Sequence, residues 1–174
     1  MVIIGLDPGI HTGWAVCRHG RILESGVQTF ALARGESPGM RFLRFRRWLA
    51  EVAEKAGLEV PDLPRGHGFK HDAIFAYEHS FQQGSHAQEL FHGWTTRLQE
   101  IAAERGSESL PVHTGTLKKW ATGSGRADKA AMRAVAARRT GRYPESNVIG
   151  DEGMSEDEAD AILVALYAWE QVKP

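Results

Sequence analysis

Apolar residues change their spacing several times along this chain, and each change predicts an element. Val2, Ile3, Ile4 and Leu6 run up to a single carboxylate, Asp7, and Pro8-Gly9 ends the run at once. A short apolar run closed by a turn pair predicts a buried strand. Gly13–Cys17 and Ile22–Phe30 predict two further strands joined by a tight connection at Gly20, so the first three form an antiparallel meander. From Arg41 the period becomes helical: Phe42, Phe45, Leu49 and Val52 share a face as far as about Ala56, and Gly57 is a stop. That aromatic stripe reads as core rather than as a platform for stacking bases. Leu58–His71, with two prolines and two glycines, predicts a loop. Ala73–Tyr77 is a second apolar run ending in a carboxylate, Glu78. Gln83–Arg105 predicts a long helix, Leu110–His113 a short strand, and Thr114–Arg126 a polar segment holding Gly115, Gly123 and Gly125. Two helices, Ala127–Thr140 and Ser155–Val172, flank a loop over Gly141–Gly153. Three strands, helix, strand, helix, strand and two helices predict one α/β domain over residues 1–174.

Composition narrows the class. Of 174 residues, 42% are hydrophobic and 25% charged, the balance of a soluble globular protein. No apolar run approaches the roughly 18 residues of a membrane span, and there is no basic-then-apolar leader. Cys17 is alone, which excludes an intrachain disulfide, and nothing suggests a zinc site. A cytoplasmic protein is expected. The net charge of −1 does not mark a nucleic-acid binder, but the charges are segregated. Lys118, Lys119, Arg126, Lys129, Arg133, Arg138, Arg139 and Arg142 precede an acidic run from Glu145 to Asp160. A basic face beside an acidic pocket suits an enzyme that holds phosphates and binds cations, although a solvated helix followed by an acidic loop has the same charge pattern.

The acids carry the candidate chemistry. Asp7 taken alone is equally the start of a turn. Glu78 repeats its grammar, an apolar strand followed by one acid, and parallel neighbours would bring both to one edge of the sheet, where open α/β sheets hold their sites. Asp157 and Asp160 lie three apart on one face of the last helix, near its amino end, among Ala159, Ala161, Ile162 and Leu163. First-turn acids also complement the helix dipole. Glu156 and Glu158 fall on other faces and read as solvated charges. Four convergent carboxylates repel by about 4 kcal/mol per pair at about 4 Å and an effective dielectric of about 20. Such a cluster persists by binding cations or protons. Oxygen donors without Cys or His suit Mg²⁺ or Mn²⁺, and two such ions clamp the attacking and leaving oxygens of a phosphodiester displacement.

These blocks, in this order, resemble the RuvC family of Holliday-junction resolvases, which have an RNase H-like fold. GLDPGIHTGWAV is similar to the family's first-strand signature, YEHSF to its second-acid strand, ATGSGRADKAAM to its glycine-bearing segment before a Lys-led helix, and SEDEADAILVALYA to its terminal helix. The resemblance implies a mixed five-stranded sheet flanked by helices, with Asp7, Glu78, Asp157 and Asp160 holding two metal ions. It implies a homodimer that binds a four-way DNA junction and makes paired, Mg²⁺-dependent nicks, with Mn²⁺ able to substitute, in recombination and repair. Lys118 and Lys129 would sit near the scissile phosphates, with Lys119 an alternative to Lys118. Lys119 and Arg126 would contact DNA, and Phe81 would wedge or stack at the junction centre. The loop at Leu58–His71 is longer and more basic than is usual in the family, and the family's frequent basic tail is not in the sequence. Both departures suggest a phage-type or otherwise atypical member. A nuclease of the same fold acting on flaps, forks or other branched replication intermediates is the nearest alternative. A DNA-binding protein with silent acids is the more distant one.

Overall fold

The computed structural model describes residues 1–60, 73–79, 84–142 and 153–173. Five strands form one sheet: β1 (Val2–Asp7), β2 (His11–Arg18), β3 (Arg21–Thr29), β4 (Ala73–His79) and β5 (Glu108–His113), in the order β3-β2-β1-β4-β5. The meander β1-β2-β3 is antiparallel, whereas β4 and β5 run parallel to β1. A mixed sheet follows from the connections. The short turns at Pro8-Gly9 and His19-Gly20 reverse the chain, whereas α1 (Met40–Lys55) and α2 (Ser85–Glu104) carry it back to start again in the same direction. Pro111 in β5 lies on an edge strand, where a residue without an N–H is tolerated.

Strand alternation divides the apolar residues between two cores. Val2, Ile4, Leu6, Phe75 and Tyr77 face α1 and α2, where they meet Phe45, Leu49, Trp94, Leu98 and Ile101. Phe45 and Trp94 pack edge-on 5.1 Å apart, so the aromatic stripe of α1 belongs to the core, as its spacing suggests. Ile3, Ile74, Ala76 and Val112 face the other way, toward α3 (Thr114–Thr122), α4 (Lys129–Thr140) and α5 (Glu156–Val172).

The helix α3 is a departure from the sequence expectation, which has a polar segment there. Leu117 and Ala121, one turn apart, are its buried contacts, and Gly115 in the first turn obscures the short period. Gly123 at φ 83° ends it in the left-handed conformation that glycine adopts without strain. The remaining helices begin within about two residues of expectation, α4 capped by Asp128 and α5 by Ser155. Most of the expected loops at 58–71 and 141–153, and Phe81, lie outside the described residues.

α5 lies against the middle of the sheet because two glycines let it. A Cβ on Gly5 would come within 2.4 Å of the Ala161 carbonyl oxygen. One on Gly13 would lie 1.8 Å from the Asp157 carbonyl oxygen. The first turns of α5 are therefore seated on the backbone of β1 and β2.

Candidate metal centre

Asp7 and Glu78 reach one place by two separate features of the sheet. β1 and β4 are parallel, with Leu6 opposite Tyr77, so the next residue on each strand stands at the same edge. The pleat then turns Asp7, two residues after Gly5, and Glu78, two after Ala76, toward the face that α5 covers. α5 starts over that edge, capped by Ser155, whose Oγ accepts from the Glu158 N–H at 3.1 Å.

One carboxylate oxygen each from Asp7, Glu78 and Asp160 lie within 4.8 Å of one another. Of the four acids nominated by the sequence, Asp157 is the one that is not in this tight group. Residues three apart on a helix differ by about 60° in direction and 4.5 Å in height. Asp160 points into the group, and Asp157 acts on Asp7 and Asp160 from its margin through its charge.

The turn that follows Asp7 is built as rigidly as the strand. Thr12 is fully buried, and its Oγ1 accepts from the Gly9 N–H at 3.2 Å and donates to the Gly9 carbonyl at 2.7 Å. Glu78, itself buried, accepts a hydrogen bond from the Thr114 hydroxyl at 2.5 Å. Sequence reasoning missed Thr114, whose only signal is its place directly after a strand.

Burial is the main electrostatic fact of the site. It pushes Asp7 well above the usual carboxylate range, with Glu78, Asp160 and Asp157 adding to the rise. It raises Glu78, against the Thr114 hydrogen bond and the Lys118 charge. It lifts Asp160 to about 7, with Glu78 adding and Lys118 and Lys129 opposing. Of the two adjacent lysines, Lys118 is the one whose charge acts on the carboxylates. Lys119 and Arg126 are exposed. Lys129, the first residue of α4, pairs with Glu156 and reaches Asp7 and Asp160 only as a nearby charge. Glu158 corrects another expectation: its side chain is 14% exposed, and it accepts from Ser25 at 2.7 Å and Arg142 at 2.8 Å. The start of α5 overlies the meander, which covers the face where Glu158 was expected to meet solvent.

Three desolvated carboxylates with raised pKa values, and no nitrogen or sulfur ligand in the group among the described residues, fit a hard divalent cation. His79 and His113, one residue beyond Glu78 and Val112 on their strands, fall on the opposite face of the sheet, with rings 5.1 Å apart. In the cation-free protein the burden on Asp160 has a signature. Below its ordinary value of 3.8 it is protonated folded or unfolded; from there to about 7 it keeps its proton only when folded. Stability therefore falls as the pH rises through that window and stays low above it. Asp160→Asn should stabilise the cation-free protein at pH 8 by about 1–3 kcal/mol and change little at pH 4. Thermal unfolding in chelator at the two pH values measures this, and equal gains at both would refute it.

No protein-family model matches the chain, and no curated protein matches it by sequence. Solved structures do. RuvC of Thermus thermophilus in complex with a Holliday junction substrate matches with a TM-score of 0.69 at 21% identity, over 98% of this chain and 96% of that one. A second Thermus thermophilus RuvC structure matches with a TM-score of 0.66 at 20% identity, over 99% and 97%. The fold is RuvC-like. The mixed sheet with helices on both faces is thus the RNase H-like arrangement that the order of motifs implies. Within this RuvC-like frame, the carboxyl ends of β1 and β4 and the first turns of α5 and α3 meet at one edge. No helix among the described residues is long and apolar enough to cross a membrane.

Proposed function

We propose that the chain is a metal-dependent, structure-selective endodeoxyribonuclease that resolves four-way DNA junctions by paired nicks. The observation that carries the reading is the convergence of Asp7, Glu78 and Asp160, with Lys118 beside them, in a RuvC-like fold whose solved neighbour holds a Holliday junction substrate. Asp7, Glu78 and Asp160 would hold Mg²⁺, or Mn²⁺ in its place, with Asp157 completing a site for two ions. When bound, such ions activate water and stabilise the departing 3′ oxygen, leaving 5′-phosphate and 3′-hydroxyl ends. The chain's own residues supply the rest. The three carboxylates would fix where the cations sit. Lys118 and Lys129 offset charge on the phosphate, Lys119 and Arg126 follow the backbone, and Phe81 works at the junction centre. Paired nicks require two such sites, hence a homodimer of single-domain subunits acting in the cytoplasm, and the departures at Leu58–His71 favour a phage-type member.

Cleavage-site mapping on four-way junctions, flaps, forks and RNA–DNA hybrids, each with Mg²⁺ and with Mn²⁺, tests the proposal. Symmetric nicks confined to junctions are expected. Preferential cutting of flaps or forks would give the chain to replication intermediates instead, and binding without cutting would leave a DNA-binding protein. Lys118→Ala should slow nicking and flatten the salt dependence of junction binding by about one unit of log–log slope for one lost phosphate contact. An unchanged slope in filter-binding titrations removes Lys118 from the phosphate.

A further inference from the structure

We propose that Thr114 is the positioning residue of this site, its hydroxyl holding the Glu78 carboxylate in the orientation that receives a cation. The inference rests on the metal-centre reading above and adds to it a residue outside the acidic set. Its basis is an unusual use of a helical threonine. Thr95, Thr122 and Thr140 each donate to the carbonyl four residues back in their own helix, the common fate of such a hydroxyl. Thr114 begins α3, where no carbonyl of its own helix lies behind it, and it does not cap the helix. Instead its hydroxyl reaches Glu78 Oε1, 36 residues away in sequence, at 2.5 Å. The other oxygen of Glu78 has no protein hydrogen bond among the described residues. One oxygen is thereby tied, and a carboxylate oxygen of Glu78 lies within 4.8 Å of one from Asp7 and one from Asp160.

The placement is built from both sides. β5 pairs with β4 through Val112 opposite Glu78 and His113 opposite His79, so Thr114 is the first residue beyond the paired edge, two after the partner of Glu78. Leu117 and Ala121 anchor α3 in the core beneath α5, which fixes the helix in rotation. Thr114 and Lys118 then lie one turn apart on a common face, and both act on Glu78. A carboxylate ligand held by a hydrogen bond is oriented before the cation arrives, and losing such an outer partner typically weakens metal binding by about 10–100-fold.

Thr114→Val keeps the shape and removes the hydroxyl, and Thr114→Ser restores it. Mn²⁺ binding to the DNA-free protein, read by electron paramagnetic resonance or calorimetry, should weaken about tenfold or more in the Val variant and recover in the Ser variant. Cation-free melting temperatures serve as the control for fold. Equal Mn²⁺ affinity in wild type and Val variant, with or without a lower melting temperature, overturns the assignment and leaves Thr114 a structural tie between α3 and β4. If the wild type itself binds no Mn²⁺, the metal-centre reading falls and this inference with it. Should the Val variant fold poorly, Thr114→Ala also lacks the hydroxyl and carries the same expectation.

Discussion

Asp7→Asn is expected to yield a protein that folds, binds a four-way junction and does not cut it. The substitution keeps the shape of the side chain at the centre of the acidic group and removes its charge. Folding should not suffer, because burial and three neighbouring acids already push the Asp7 carboxyl far above its ordinary range. A neutral amide removes that conflict. Catalysis should collapse, because a cation held by fewer carboxylates forfeits several kcal/mol of transition-state stabilisation, about a thousandfold or more in rate. Single-turnover nicking with Mg²⁺ beside junction binding in chelator separates the two effects, and cleavage at the wild-type rate would remove Asp7 from the site. Asp160→Asn should behave alike. Asp157→Asn should cost less, since Asp157 acts on the group from its margin.

Gly13→Ala should be nearly as damaging, although Gly13 carries no chemistry. A methyl group at this position would sit 1.8 Å from the carbonyl oxygen of Asp157, inside the backbone of the first turn of α5. No side-chain rotation relieves a clash with backbone, so α5 must lift from β2 and take Asp157 and Asp160 with it. Overpacking of this kind costs about 3 kcal/mol at the upper end of its usual range. For a chain of this length that corresponds to a fall in Tm of roughly 6–12 °C. Nicking should fall with it, and at temperatures where the variant is still folded. Gly115→Ala is the internal control: nothing lies within 4 Å of its added Cβ, and the helix α3 gains propensity. If Gly13→Ala melts and cuts like the wild type, the seating of α5 on β2 is not what sets the acids.

The sequence disclosed the parts that depend on local spacing. The run from Val2 to Leu6 ending in Asp7, and its repeat ending in Glu78, are strands in the structure. Their pleat puts both acids on one face without help from the rest of the chain. The helical period of Arg41–Ala56 and of Ser155–Val172 was equally plain, as was the pairing of acids at the start of the last helix. The segment after β5 was not, because nine residues with a glycine in the first turn carry too little period to distinguish a helix from a loop. With α3 unseen, Thr114 could not be matched to Glu78, nor Lys118 separated from Lys119.

Other features depend on contacts between residues far apart in the chain. Which of Asp157 and Asp160 enters the acidic group follows from how deeply α5 sits, and that depth is set by the missing side chains of Gly5 and Gly13 on two other strands. Glu158 meets Ser25 and Arg142 instead of water for the same reason. Periodicity records the direction of each side chain relative to its own element, so the amino-acid order was enough to nominate Asp7 and Glu78 and to pair the acids of the last helix. The distance and rotation of one element against another arise from packing across the sheet. That packing made three of the four acids a tight group and brought Thr114 to its edge.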